Sequence, residues 1–332
     1  MEFLVEYGLF LFKLISVIAA VVILFVLFFA MVGKVKDKTK GMLEIRKLND
    51  KYEAYHHALS YASKNKYELK SFLKSKKKIQ KQRDKEKTSQ HNLFVLTFNG
   101  DIKASAVTAL REEITAILLT ASPQDEVLLR LESGGGLVNA YGLAASQLNR
   151  IKEAQIKLTV AIDRVAASGG YMMAAVADHI LAAPFAIIGS IGVIAQLPNF
   201  HRYLKKKSID FEQLHAGEYK RTLSLFAENT AKGRQKMQEE IDDTHELFKT
   251  FIQQHRRQVE IEHIATGEHW LAARALQLKL VDELKTSDDF LLSARNRFNL
   301  LEVEYKIKKP FSKRLASSVS NAYYQWTGVI PP

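Results

Sequence analysis

Residues 92–290 predict an α/β fold, a parallel sheet covered by helices on both faces. Two observations carry this. Short runs rich in apolar and β-branched residues alternate with longer stretches whose apolar residues recur at helical spacing, and Gly, Asn or Asp punctuate several of the changeovers. Strands buried on both faces read as near-continuous apolar runs, as these do. No repeat period is visible.

The first strand is expected at residues 93–98, Leu-Phe-Val-Leu-Thr-Phe, ended by Asn99-Gly100-Asp101. Residues 106–120 follow with helical spacing, and 127–131, Val-Leu-Leu-Arg-Leu, read as the next strand. Residues 137–151 are helical, 158–162 form a third strand and 170–177 a third helix. A further strand is expected at 211–215. The helical tract at 230–259 offers an assembly surface or, with equal weight, a solvated amphipathic face.

Ahead of this domain the chain divides into a flank (1–13), an apolar segment (14–33) and a basic tract (34–91); an extension (291–332) follows it. Residues 14–32 carry no charge, and at about 1.5 Å per residue they span a bilayer core of about 30 Å. Glu2 and Glu6 precede the segment, and its length exceeds that of a signal-peptide core, so it reads as a single-pass anchor. The net charge of +12 is concentrated downstream: residues 34–91 hold eighteen Lys and Arg against seven Asp and Glu. No aromatic platform is interleaved with the densest part, 74–87, so lipid headgroups rather than nucleic acid are the expected counter-ions and the tract reads as a linker or helical tether. Lys34, Lys36, Lys38 and Lys40 place the C-terminal side in the cytoplasm by the positive-inside rule. The tail from Lys309, with Tyr323, Tyr324 and Trp326, reads as a frayed end.

Cysteine is absent, which excludes disulfides, thiolate catalysis and cysteine-ligated zinc. Chemistry in an open α/β sheet sits beyond the carboxyl ends of the strands. Two such ends stand out. Leu131-Glu132-Ser133-Gly134-Gly135-Gly136 lets backbone N–H groups approach a ligand without Cβ obstruction, or is simply a flexible turn. Ala167-Ser168-Gly169-Gly170 puts a serine at a strand-to-helix turn, where it is either an N-cap or a nucleophile with the N–H of Gly169 as an oxyanion donor.

A serine nucleophile needs a base. His179 follows Asp178 just before an apolar run and reads as a strand-edge residue; His215 lies in a loop, and His245, His255, His263 and His269 show no paired-ligand spacing. No metal or cofactor is expected. The other base is a lysine, and Gly217-Glu218-Tyr219-Lys220-Arg221-Thr222 supplies one. A lysine base must be neutral, which requires its pKa to fall from about 10.4 to about 7–8, roughly 4 kcal/mol. Burial supplies such a shift, and Ser190, in an almost wholly apolar stretch, is a polar partner to aim the amine.

Together the segments 131–136, 166–174, 183–193 and 217–222, with Thr266-Gly267-Glu268-His269 and Leu280-Val281-Asp282, resemble the signal peptide peptidase A family. The resemblance implies a crotonase/ClpP-like ββα spiral behind an N-terminal transmembrane helix. It implies a serine endopeptidase that cleaves extended or unfolded polypeptides, signal-peptide remnants among them, with Ser168 as nucleophile, Lys220 as base, Ser190 orienting the lysine, and Gly169 with Gly135 as oxyanion donors. It also implies a homo-oligomer in the bacterial inner membrane, with the body facing the periplasm, against the flanking charges. The family's glycine loop usually reads Ser-Pro-Gly-Gly; here Gly134 stands at the proline position, which implies a looser loop and lower turnover. Lys279 stands where relatives often have glycine. Two other readings stay open: an acyl-CoA enzyme of crotonase type with Glu132 as its carboxylate, and a membrane scaffold whose serine is dispensable.

Overall fold

A computed structural model of the chain describes residues 2–32, 41–64, 67–68 and 91–306. The lysines at 34–40, those at 74–87 and the tail from 309 lie outside the described residues. The chain divides into two units, Met1–Met42 with Lys306–Pro332, and Leu43–Tyr305.

The first unit contains α1 (Glu2–Val32). Its span Glu6–Val26 is the one helix among the described residues long and apolar enough to cross a membrane. The helix starts earlier than the run of uncharged residues suggested, so Lys13 lies within the span and not at its edge.

The second unit is built on one sheet. Its main path runs β1 (Met42–Lys47), β10 (Asn299–Lys306), β2 (Asn92–Gly100), β3 (Glu126–Ser133), β4 (Lys157–Ile162), β6 (His179–Ala182) and β9 (Glu283–Leu284). From β10 to β9 all pairs are parallel. At the carboxyl end of β3 a second ladder branches off. Ser133 pairs with Ala166 of β5 (Val165–Ala167), β5 pairs in parallel with β7 (Ile187–Gly189), and β7 pairs antiparallel with β8 (His269–Leu271).

The central strands are covered on both faces. In β2, Phe94, Leu96 and Phe98 point into the larger core, with α3 (Val107–Leu118), α4 (Val138–Glu153) and α5 (Gly169–Ala175), while Leu93 and Val95 point into the smaller one. In α4 the buried set Tyr141, Ala144, Ala145, Leu148 and Ile151 recurs every three or four residues, the stripe a helix needs to seat on a sheet. The smaller core is closed by α10 (Ser287–Ala294) and by Leu48 and Tyr52 of α2 (Leu48–Ser63). Strand β1, α2, α10 and β10 therefore belong to the folded body, which takes in parts of the segments the sequence assigned to a linker before 92 and an extension after 290.

The long helix α7 (Ala231–His255) starts where the Thr230 hydroxyl accepts the Gly233 N–H at 3.0 Å, and it buries Phe248 and Ile252. Between β7 and α7 the chain is irregular apart from α6 (His201–Lys206). The strand expected at 211–215 is absent. Its apolar residues, Phe211 and Leu214, are three apart, out of step with strand alternation, and both are exposed with no ladder partner. The remaining helices are α8 (Ile261–Ile264) and α9 (Ala272–Gln277).

Candidate active site

Strand β5 ends at Ala167 and α5 begins at Gly169, so Ser168 is the corner between them. Its backbone sits at φ 52°, ψ −122°, the conformation of the first central residue of a type II′ turn, which normally selects glycine. A residue with a Cβ pays about 1–3 kcal/mol to stay there. Neighbouring structure holds it: Ser168 donates its N–H to the Gly189 carbonyl at 2.8 Å, and its own carbonyl accepts the Met172 N–H at 3.0 Å. The hydroxyl makes no capping bond to α5. The ordinary reason for a serine at a helix start is therefore missing, and the side chain stands half-exposed at the helix mouth.

As the first residue of α5, Gly169 has an N–H without an intrahelical acceptor. A Cβ there would lie 2.4 Å from Cγ of Tyr141, so only glycine lets the helix start approach that ring. The glycine loop packs against the same corner. Gly135, at φ +87°, has room for no side chain: a Cβ would fall 2.7 Å from the Gly169 nitrogen and 2.8 Å from Cβ of Ser168. The loop thus lies on the serine, as the sequence suggested, but with a difference in its donors. The Gly135 N–H is turned back onto Oγ of Ser133 at 3.1 Å, whereas the Gly136 N–H has no acceptor among the described hydrogen bonds.

Ser133 is itself held by Tyr141, hydroxyl to hydroxyl at 2.5 Å, and Tyr141 donates to the Asp101 carbonyl at 2.8 Å. Burial pushes the Tyr141 phenol up from its ordinary pKa, which keeps it a donor. Neither residue stands out in the sequence: Tyr141 reads as a core aromatic on a helix stripe, and Ser133 as the last residue of a strand. Tyr171, three residues past Ser168 and fully buried, donates to the Leu280 carbonyl at 2.9 Å and ties α5 to the loop before β9.

Ser190 follows Gly189, the residue whose carbonyl takes the Ser168 N–H, so the two serines share a backbone neighbour. Ser190 also has positive φ, 52°, and donates its N–H to the Glu268 carbonyl at 2.6 Å. Lys220 is placed differently. It lies in the irregular segment after α6, exposed, with its N–H on the Gly217 carbonyl at 3.1 Å. It faces a groove of about 650 Å³ whose walls include Leu197, Phe211, Leu214, Leu225 and Phe226 but not Ser168. Among the described residues no hydrogen bond joins Lys220 to Ser168 or to Ser190. The structure brings Ser168, Gly169, Gly135 and Ser190 together and leaves Lys220 apart from them within one chain.

None of the competing groups makes a hydrogen bond to Ser168 among the described residues. His179 Nε2 lies 3.3 Å from Glu283, and Nδ1 lies 3.9 Å from Asp282. His269 stands opposite Gly189 in the β7–β8 ladder, exposed and without a carboxylate partner among the described residues. Glu132 alternates with Leu131 and Ser133, so it points to the opposite face of β3, where it meets Arg164 at 2.8 Å. A carboxylate there does not address the serine corner. Among the described residues no group of three or more His, Cys, Asp or Glu could hold a metal ion.

Two family models match the chain: Peptidase family S49 N-terminal over residues 2–148 and Peptidase family S49 over residues 150–301. A Haemophilus influenzae relative named Probable protease SohB is 46% identical over 94% of this chain and 92% of its own length. A second Probable protease SohB, from Buchnera aphidicola of Schlechtendalia chinensis, is 47% identical over 88% of this chain and 100% of its own length. A third, from Buchnera aphidicola of Acyrthosiphon pisum, is 46% identical over 97% of this chain and 95% of its own.

Proposed function

Since the chain belongs to peptidase family S49, we propose that it is a membrane-anchored serine endopeptidase in which Ser168 attacks the peptide carbonyl and Lys220 takes the hydroxyl proton. The observation that carries this is the backbone of Ser168: a serine kept in a glycine conformation, with a hydroxyl spent on no cap, has its side chain aimed by design rather than by default. The carbonyl oxygen, as it gains charge, is met by the N–H of Gly169 and by a donor from the glycine loop. Gly135 has turned its N–H onto Ser133, and of the two neighbours, Gly134 and Gly136, neither of which has an acceptor among the described hydrogen bonds, Gly136 is assigned that role. The proton passes from the lysine to the departing amine, and water then releases the acyl group from Ser168.

The lysine must arrive neutral and close. Lys220 shares its groove with exposed apolar side chains, Leu197, Phe211, Leu214, Leu225 and Phe226. Covering them with a second copy of the chain would desolvate the amine and bring it to the serine of that copy, with Ser190 to orient it. The dyad is therefore assembled between subunits. The finer architecture proposed is a crotonase/ClpP-like ββα spiral, supported by the way β4 and β6 in the main sheet are followed by β5 and β7 in the second ladder. The α1 helix supplies the anchor, and the body lies on the periplasmic side of a bacterial inner membrane, where extended or unfolded polypeptides, signal-peptide remnants among them, would be its substrates.

Complementation tests this. Ser168→Ala and Lys220→Ala each abolish hydrolysis of an unstructured polypeptide, while co-expression of the two restores about a quarter of wild-type activity, since one site in four then draws both intact residues from different copies. No restoration places the dyad within one chain. Hydrolysis surviving in either single variant ends the dyad reading.

A further inference from the structure

Four pieces of backbone meet at one buried phenol. The turn after β2 offers the Asp101 carbonyl, the end of β3 offers the Ser133 hydroxyl, the glycine loop reaches the same hydroxyl through Gly135, and the start of α5 lies on the ring through Gly169. The donor order is fixed. Tyr141 spends its proton on the Asp101 carbonyl at 2.8 Å, so Ser133 donates to Oη of Tyr141 at 2.5 Å, and Oγ of Ser133 is left to accept the Gly135 N–H at 3.1 Å. Both hydroxyls of this pair are satisfied, and both side chains are fully or almost fully buried. A Cβ on Gly100 would fall 2.4 Å from both Oγ of Ser133 and Oη of Tyr141, so no side chain separates the turn from this pair.

Resting on Ser168 as the nucleophile, we propose that Tyr141 and Ser133 form a hydrogen-bonded clamp that positions the glycine loop for oxyanion binding. Three consecutive glycines cannot hold one conformation by backbone preference. Something else must fix Gly135 at φ +87° against Ser168 and Gly169. The bond from its own N–H to Ser133 does so, and it orients the peptide that follows, whose Gly136 N–H has no acceptor among the described residues. The clamp touches neither substrate nor reacting atoms; it acts through the loop, so its loss should appear in turnover rather than in substrate binding. Gly134 marks where stiffness is otherwise lacking. Its φ is not in the left-handed region and a Cβ there would meet nothing within 4 Å, so a proline at 134 would stiffen the loop by an independent route.

The test uses the full-length protein in detergent with fluorescein-labelled β-casein as substrate. Tyr141→Phe keeps the ring and removes the hydroxyl. The proposal expects kcat to fall at least tenfold with KM within threefold, amide exchange across 133–137 to quicken, and Gly134→Pro in that background to recover kcat at least threefold. Ser133→Ala should reproduce the loss, and the double variant should be no worse than the weaker single one. If Tyr141→Phe does not fold, Ser133→Ala carries the same comparisons. A kcat within twofold of wild type, losses that add, unchanged loop exchange, or no recovery with proline each overturn the clamp. Loop exchange is read without turnover. A Ser168→Ala protein that still cleaves casein would thus sink the nucleophile assignment and be distinguishable from failure of the clamp.

Discussion

Replacing Ser168 by glycine should make the protein more stable than replacing it by alanine, although both variants lose the hydroxyl. At φ 52°, ψ −122° a Cβ is strained by about 1–3 kcal/mol, and alanine keeps that strain while glycine removes it. Glycine in turn loses more chain entropy on folding, about 0.5–1 kcal/mol. The net advantage is about 0–2.5 kcal/mol, which for a folded unit of this size raises the melting temperature by up to about 10 °C. Circular-dichroism melts of the two full-length variants, side by side in one detergent, measure it. Neither should hydrolyse an unstructured polypeptide. A Ser168→Gly protein that melts below Ser168→Ala would show that the corner is not strained, and the inference from backbone to nucleophile would lose its basis.

Glu113 of α3 is 4% exposed and accepts the Tyr305 N–H at 2.8 Å, and burial raises its pKa to about 7. Because the folded protein holds this proton more tightly than the unfolded chain, the contribution is full below pH 4.5 and is lost as pH rises through about 7, on the order of 3 kcal/mol. Glu113→Gln should therefore melt near wild type at pH 4.5 and progressively above it towards pH 8; a difference that does not change with pH would contradict the assignment. Arg256, 3% exposed, grips Asp282 with bonds of 2.7 and 2.9 Å and also donates to the Lys279 carbonyl at 3.0 Å. Arg256→Met leaves Asp282 without its cation and should cost about 3–5 kcal/mol in denaturant unfolding, and a loss below about 1 kcal/mol would show the pair to be dispensable.

The central strands were legible because a parallel strand buried on both faces leaves a continuous apolar run: residues 93–98, 127–131 and 158–162 all lie within observed strands. The edges were not. Met42–Lys47 is a short strand near the start of the basic tract, and it finds its place beside Asn299–Lys306, some 250 residues away in the chain. No local pattern announces such a partner. At the site, the serine corner and the glycine loop were readable from small residues at strand ends, but which glycine has a free N–H was not. Ser133, two residues before Gly135, accepts the Gly135 N–H, and Tyr141 accepts from Ser133 in turn. Hydroxyl pairs of this kind arise from tertiary packing. The strand expected at 211–215 failed for the same reason: strand propensity without a neighbour to pair with leaves irregular chain around Lys220.

A fluorophosphonate probe followed by peptide mapping bears most directly on the chemistry. In wild-type protein the adduct should sit on Ser168 alone, vanish in Ser168→Ala, and form at least a hundredfold more slowly in Lys220→Ala, as expected when the base that activates a serine is removed. An adduct on another residue, or equal labelling with and without the Lys220 amine, would contradict the account.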